Sequence, residues 1–97
     1  MSIFAVRYTY DERAEVRDAV RPEHRAWLAE LATAGVLLGS GPFTDGEPGA
    51  LLVLQSADES ALRTVLAQDP FARDGLVAAT EVRGWDLVLG PWSTPSS

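Results

Sequence analysis

His24, the one histidine among 97 residues, lies on an apolar helical stripe. Trp27, Leu28 and Leu31 follow it at spacings of three, four and seven, the periodicity of a single helix face. An imidazole carried inward needs a hydrogen-bonding partner. The segment Asp69-Pro70-Phe71 offers a carboxylate, because Asp69 prolongs the stripe Leu62, Val65 and Leu66 of a second helix. Two titratable groups on apolar faces suggest a site. If Asp69 accepts a hydrogen bond from one ring nitrogen, the His24 tautomer is fixed and the other nitrogen is left to exchange a proton with a ligand. Such an acid/base pair contributes about 10²–10⁴ in rate, which suits isomerisation or elimination on an activated small molecule, with no cofactor. Arg21 could hold a carboxylate or phenolate, and Tyr8 could hydrogen-bond a ring substituent. Ser40 comes with no sign of an oxyanion hole, so acyl transfer is not expected.

The same residues have plainer readings. A histidine on an apolar face can be a satisfied core residue. Asp69-Pro70 can be a helix stop whose carboxylate caps backbone amides. Arg21 can be a solvated charge near a helix end.

The whole chain must supply one core, because a sequence of 97 residues closes only one. With 46% hydrophobic and 23% charged residues the composition is that of a globular protein. The absence of cysteine excludes a disulfide framework and thiolate chemistry, and with a single histidine no metal site is expected. A net charge of −6 opposes binding to nucleic acid or an anionic membrane surface. Met1 runs straight into a strand-like pattern without a basic and apolar leader, and no apolar run approaches the roughly 20 residues of a membrane span. The expected location is the cytoplasm.

Period and turn signals give the elements. Residues 3–10 read as a strand and 11–18 as a charged loop. A helix is expected over about 22–34, with Pro22 in its first turn and Gly35 as its terminator. Runs 36–43 and 50–55, joined by the turn-forming residues 44–49, read as a hairpin. Ser56 and Glu59 have capping-box spacing for a second helix that runs to about Gln68 and is ended by Pro70. After a connection over 72–76, residues 77–89 return to a strand, bent at Gly84. A single domain over 1–90 and a tail over 91–97 complete the reading, with Trp92 available to pack on a partner.

The order βαββαβ predicts an α+β, ferredoxin-like antiparallel sheet with both helices on one face. In that topology the start of the first helix, the end of the second and the ends of strands one and two share an edge. His24, Asp69, Tyr8 or Tyr10, and Ser40-Gly41-Pro42-Phe43 therefore converge. The run Leu51-Leu52-Val53-Leu54 is apolar on both sides, so the second sheet face also needs a cover. At roughly 25 cal/mol per Å² a modest apolar patch is worth several kcal/mol, and a homodimer is the simplest cover.

Arg21 and His24 (Arg-x-x-His), Gly41-Pro42 and Asp69-Pro70-Phe71, in that order and spacing, resemble the YCII-related (YciI-like) domain family over about residues 3–85. The resemblance implies a dimeric α+β barrel with a histidine and aspartate proposed as catalytic, here His24 and Asp69. It includes a dehydrochlorinase acting on a chlorinated hydroxyquinol, and its fold is similar to that of muconolactone isomerases. With it, Arg21, Tyr8, Ser40, Gly41, Pro42 and Phe71 become the expected substrate-binding residues. Fold does not fix function. Three classes stay open: an isomerase- or lyase-type enzyme, a metabolite-binding or sensing module without turnover, and a structural dimer whose polar pair sets specificity.

Overall fold

The computed structural model describes residues 1–91. Its elements are β1 (Ser2–Tyr10), α1 (Ala14–Thr33), β2 (Leu37–Pro42), β3 (Gly49–Ser56), α2 (Glu59–Leu66), α3 (Pro70–Arg73) and β4 (Val77–Gly84). The strands form one sheet in the order β2-β3-β1-β4, antiparallel at every pairing. This is the expected α+β, ferredoxin-like architecture.

Successive residues of β1 and β3 point to opposite faces of the sheet. Phe4, Val6 and Tyr8 stand opposite Leu54, Leu52 and Ala50 in register, and all six are buried beneath the helices with Leu62 and Leu66. Trp27, Leu28 and Leu31 of α1 pack against this core. The alternate residues Ala5, Arg7, Leu51 and Val53 occupy the other face, where Leu51, Phe43 and Trp85 are exposed around a trough of about 510 Å³. No helix among the described residues is long and apolar enough to cross a membrane.

Helix α1 begins at Ala14, about two turns before the expected start at Pro22. The stripe that leads to His24 continues upstream through Arg17 and Arg21, and Arg17 is buried. Because these inward positions carry arginine, a search for apolar periodicity stops short of them. Pro22 consequently lies inside the helix, where it leaves the Asp18 carbonyl without its i+4 donor.

The second helix is also capped differently from expectation. Ser56 is the last residue of β3, and the Asp58 carboxylate accepts the Ala61 amide at 2.8 Å in its place. Helix α2 ends at Leu66, and Pro70 opens α3 at its first position, where a missing N–H costs nothing. β4 stops at Gly84 rather than running to Leu89. Trp92 lies outside the described residues.

Two glycines are required by geometry. At Gly35, with φ of 79°, α1 closes in a Schellman turn: Val36 N–H donates to Leu31 O and Gly35 N–H to Ala32 O. At Gly49 a Cβ would lie 2.2 Å from the Tyr8 carbonyl oxygen, so the β1–β3 contact admits no side chain.

Candidate functional site

The α2–α3 corner fixes Asp69 before any ligand is considered. Its amide donates to Leu66 O at 3.1 Å, and its carbonyl accepts the Arg73 amide at 2.8 Å. As N-cap of α3 it accepts the Phe71 amide at 2.9 Å through Oδ1. The helix-stop reading of Asp69 is therefore correct as local structure. The same oxygen, fully buried, also lies 2.7 Å from His24 Nδ1. One carboxylate oxygen thus serves as a cap and as the histidine's partner.

His24, 7% exposed and midway along α1, stacks on the Phe71 ring at 3.9 Å between centroids and 6° between planes. Tyr10 meets the other side of this aromatic group, edge-on to Phe71 at 5.4 Å. Stacking and the Nδ1 contact hold the imidazole in a fixed plane. Because Asp69 accepts, Nδ1 carries the proton when the ring is neutral, and Nε2 is then a bare acceptor. Nε2 has no partner among the described residues and is not sealed from solvent. His24 lines a cleft of about 490 Å³. An exposed link from Arg73 to Glu23 at 2.5 Å ties α3 to the turn of α1 that bears His24.

The cleft is walled by Arg21, His24, Arg25 and Leu28 from α1 and by Ser40, Gly41 and Pro42 from β2. Tyr10, Ala50, Leu52 and Phe71 complete it. In register, Ser40 and Pro42 stand opposite Leu52 and Ala50 and so share the helix-covered face, whereas Gly41 stands opposite Leu51. Gly41 gives the cleft its backbone and no side chain. Arg21 reaches the cleft while paired with Asp18 one turn earlier.

Tyr8 does not line the cleft, contrary to the expectation of ligand contact. It is 1% exposed within the core, and the cleft's tyrosine is Tyr10, two residues further toward the edge on the same face of β1. The structure thus decides for Tyr10 between the two tyrosines expected at this edge, and two residues at the site escaped the sequence reading: Arg25, and buried Arg17, whose guanidinium lies 4.9 Å above the Tyr10 ring. The i+4 spacing from Arg21 is a signal that finds Arg25.

The Tyr8 hydroxyl and Asp69 Oδ2 are both buried without a partner at hydrogen-bond geometry. Burial first, then the charge of Asp69 and the hydroxyl's approach to it, hold the Tyr8 phenol well above its ordinary value. Burial and the Asp69 charge likewise push Tyr10 up to about 12, against smaller lowering effects from Arg17 and Arg21. Both shifts favour the neutral phenol in the fold. Their stabilising contribution is complete below the ordinary value of 10.0; that of Tyr10 is lost as pH rises through about 12, and that of Tyr8 at higher pH still. A spectrophotometric titration should show no phenolate near pH 10 in the native protein, with alkaline unfolding accompanying its appearance. Ordinary tyrosine titration in the folded state would contradict this environment.

A buried histidine–aspartate pair thus lies behind a cleft in a ferredoxin-like α+β fold. The chain belongs to the YCII-related domain family, whose model matches residues 1–86. In structure it is similar to the 5-chloro-2-hydroxyhydroquinone dehydrochlorinase of Burkholderia phenoliruptrix, solved with 2,5-dihydroxybenzoquinone. That likeness has a TM-score of 0.77 at 22% identity, over 87% of this chain and 93% of that one. An antibiotic biosynthesis monooxygenase matches at TM-score 0.57 and 18% identity, over 92% of this chain and 100% of the other. The cofactor-independent oxygenase SnoaB of Streptomyces nogalater matches at 0.51 and 18%, over 92% and 94%. At these identities the likenesses establish the fold. No curated protein matches the chain by sequence.

Proposed function

We propose that the protein is a small-molecule enzyme of isomerase or lyase type in which His24 is the general acid/base and Asp69 its orienting partner. The observation that carries this reading is that Nδ1 sits 2.7 Å from Asp69 Oδ1 on a ring that also lines the cleft, which leaves Nε2 as the nitrogen for a ligand. In an elimination, Nε2 takes the proton from the substrate atom next to the leaving group, the released pair forms the new π bond, and the leaving group departs with its own pair. In an isomerisation the same nitrogen returns the proton to a different atom. Asp69 holds the ring throughout and stabilises the imidazolium formed. Arg21, Ser40, Gly41, Pro42 and Phe71 make up the substrate-binding wall in this reading.

The direct test is chloride release from 5-chloro-2-hydroxyhydroquinone, the substrate class named for the Burkholderia relative, together with proton-transfer substrates such as small lactones. Turnover by the wild type that is lost with His24 supports the reading. Turnover that survives without His24 overturns it.

We further infer that two copies pair through the open sheet face, whose apolar half is formed by Ala5, Leu51, Val53, Phe43 and Trp85. Sedimentation should give a dimer for the wild type and a folded monomer for Leu51→Arg. A monomeric wild type would contradict the pairing.

A further inference from the structure

The cleft's charge is out of keeping with the chain's. The protein carries −6 overall, and all eight of its basic residues are arginine. Five of these pair with carboxylates: Arg13 and Arg17 with Asp11, Arg21 with Asp18, Arg63 with Glu59, and Arg73 with Glu23 and Asp74. The side chains of Arg7, Arg25 and Arg83 have no ion-pair or hydrogen-bond partner among the described residues. Arg7 and Arg83 belong to the open sheet face, in register with Leu51 and Ala5. Arg25 alone of the three lines the cleft.

Among the described residues no aspartate or glutamate lines this cleft to neutralise Arg25. Asp69 lies behind the imidazole, with Oδ1 already engaged by His24 and Phe71. Arg21 and Arg25 are four residues apart, so their side chains leave neighbouring turns of one helix side and can meet one anion. A guanidinium presents its donors in a fork that matches a carboxylate. Below the arginines, Leu28, Ala50, Leu52 and Phe71 supply apolar surface for a compact ligand body.

We infer that the cleft selects a ligand bearing a carboxylate on a compact apolar body, with Arg25 as the residue that sets this preference. This deepens the proposed function and rests on it for the identity of the site. The carboxylate sits at the arginine mouth, and the body lies on the apolar floor with its reactive atom toward His24 Nε2. Arg21 contributes less, because Asp18 already shares its charge. Arg25 gives its whole charge to the ligand.

The test uses benzoate and its neutral isostere benzamide, titrated calorimetrically into the wild type, Arg25→Gln and His24→Gln. The wild type should bind benzoate at least about tenfold more tightly than benzamide, a gap of about 1.4 kcal/mol. Arg25→Gln should remove most of that gap by weakening benzoate alone, and added salt should narrow it in the wild type. Equal binding of the two probes, binding of neither, or a gap unchanged in Arg25→Gln overturns the inference. His24→Gln should keep the gap, because charge selection resides in Arg25. Loss of the gap in that variant would also overturn the assignment to Arg25. Failure of the proton-transfer reading shows separately, as turnover that persists in His24→Gln whatever the probes do.

Discussion

Replacing His24 by glutamine should lower kcat by about 10²–10⁴-fold, the usual contribution of a positioned general acid/base. Glutamine is the informative choice because its amide is similar in length and can still donate to Asp69 Oδ1, yet it exchanges no proton near neutral pH. The fold should persist, since the main loss is the stack on Phe71, worth about 0.5–1.5 kcal/mol. Ligand affinity should change little, so the effect falls on kcat rather than KM. Chloride release under saturating substrate, with a circular dichroism melt of both proteins, checks the two halves together. Equal kcat in the variant would show that the imidazole has no part in the chemistry. Equal loss of kcat and of folding would show a structural histidine.

The largest stability effect should come from Asp69→Ala. The substitution leaves His24 Nδ1–H and the Phe71 amide without their shared acceptor in a fully buried position. An unsatisfied buried donor costs about 1–3 kcal/mol, so the expected loss for the two is about 2–6 kcal/mol. A domain of this size has about 5–15 kcal/mol in total. Asp69→Asn keeps an acceptor oxygen at the cap and should cost less, while lowering kcat because an amide stabilises an imidazolium poorly. Urea unfolding of the two variants gives the comparison. A loss below about 1 kcal/mol in Asp69→Ala would mean that the cap and the histidine contact do not share the burden assigned to them.

Much of this arrangement is legible in the sequence, for reasons that differ from residue to residue. The β-branched and aromatic content of β1, the apolar run of β3, Gly35 after the first helix and the hairpin between β2 and β3 all express local rules, and together they specify the topology that brings α1 and the α2–α3 corner to one edge. His24 and Asp69 stand out because each occupies a position where the stripe calls for an apolar residue. The upstream half of α1 is hidden by the opposite effect. There the inward positions are Arg17 and Arg21, whose long stems cover the core edge and whose charges are met by Asp11 and Asp18.

The choice between the tyrosines needed the register. Tyr8 and Tyr10 share a face of β1, and only the position of the strand end relative to α1 places the first in the core and the second at the cleft. The dual service of Asp69 Oδ1, as cap of α3 and partner of His24, was similarly out of reach. The sequence poses capping and pairing as alternatives, whereas three-dimensional geometry lets one oxygen perform both. Arg25 follows His24 directly; its place on the cleft and its lack of a counterion among the described residues set it apart.

The most direct test of the central claim is the tautomer of neutral His24, read from its ring nitrogen chemical shifts by long-range proton–nitrogen correlation NMR. A single histidine makes the assignment unambiguous. Nδ1 should carry the proton, held by Asp69, with Nε2 bare and facing the cleft. A ring protonated at Nε2 would contradict it, because Asp69 would then not be accepting from the imidazole and the nitrogen assigned to proton transfer would be occupied.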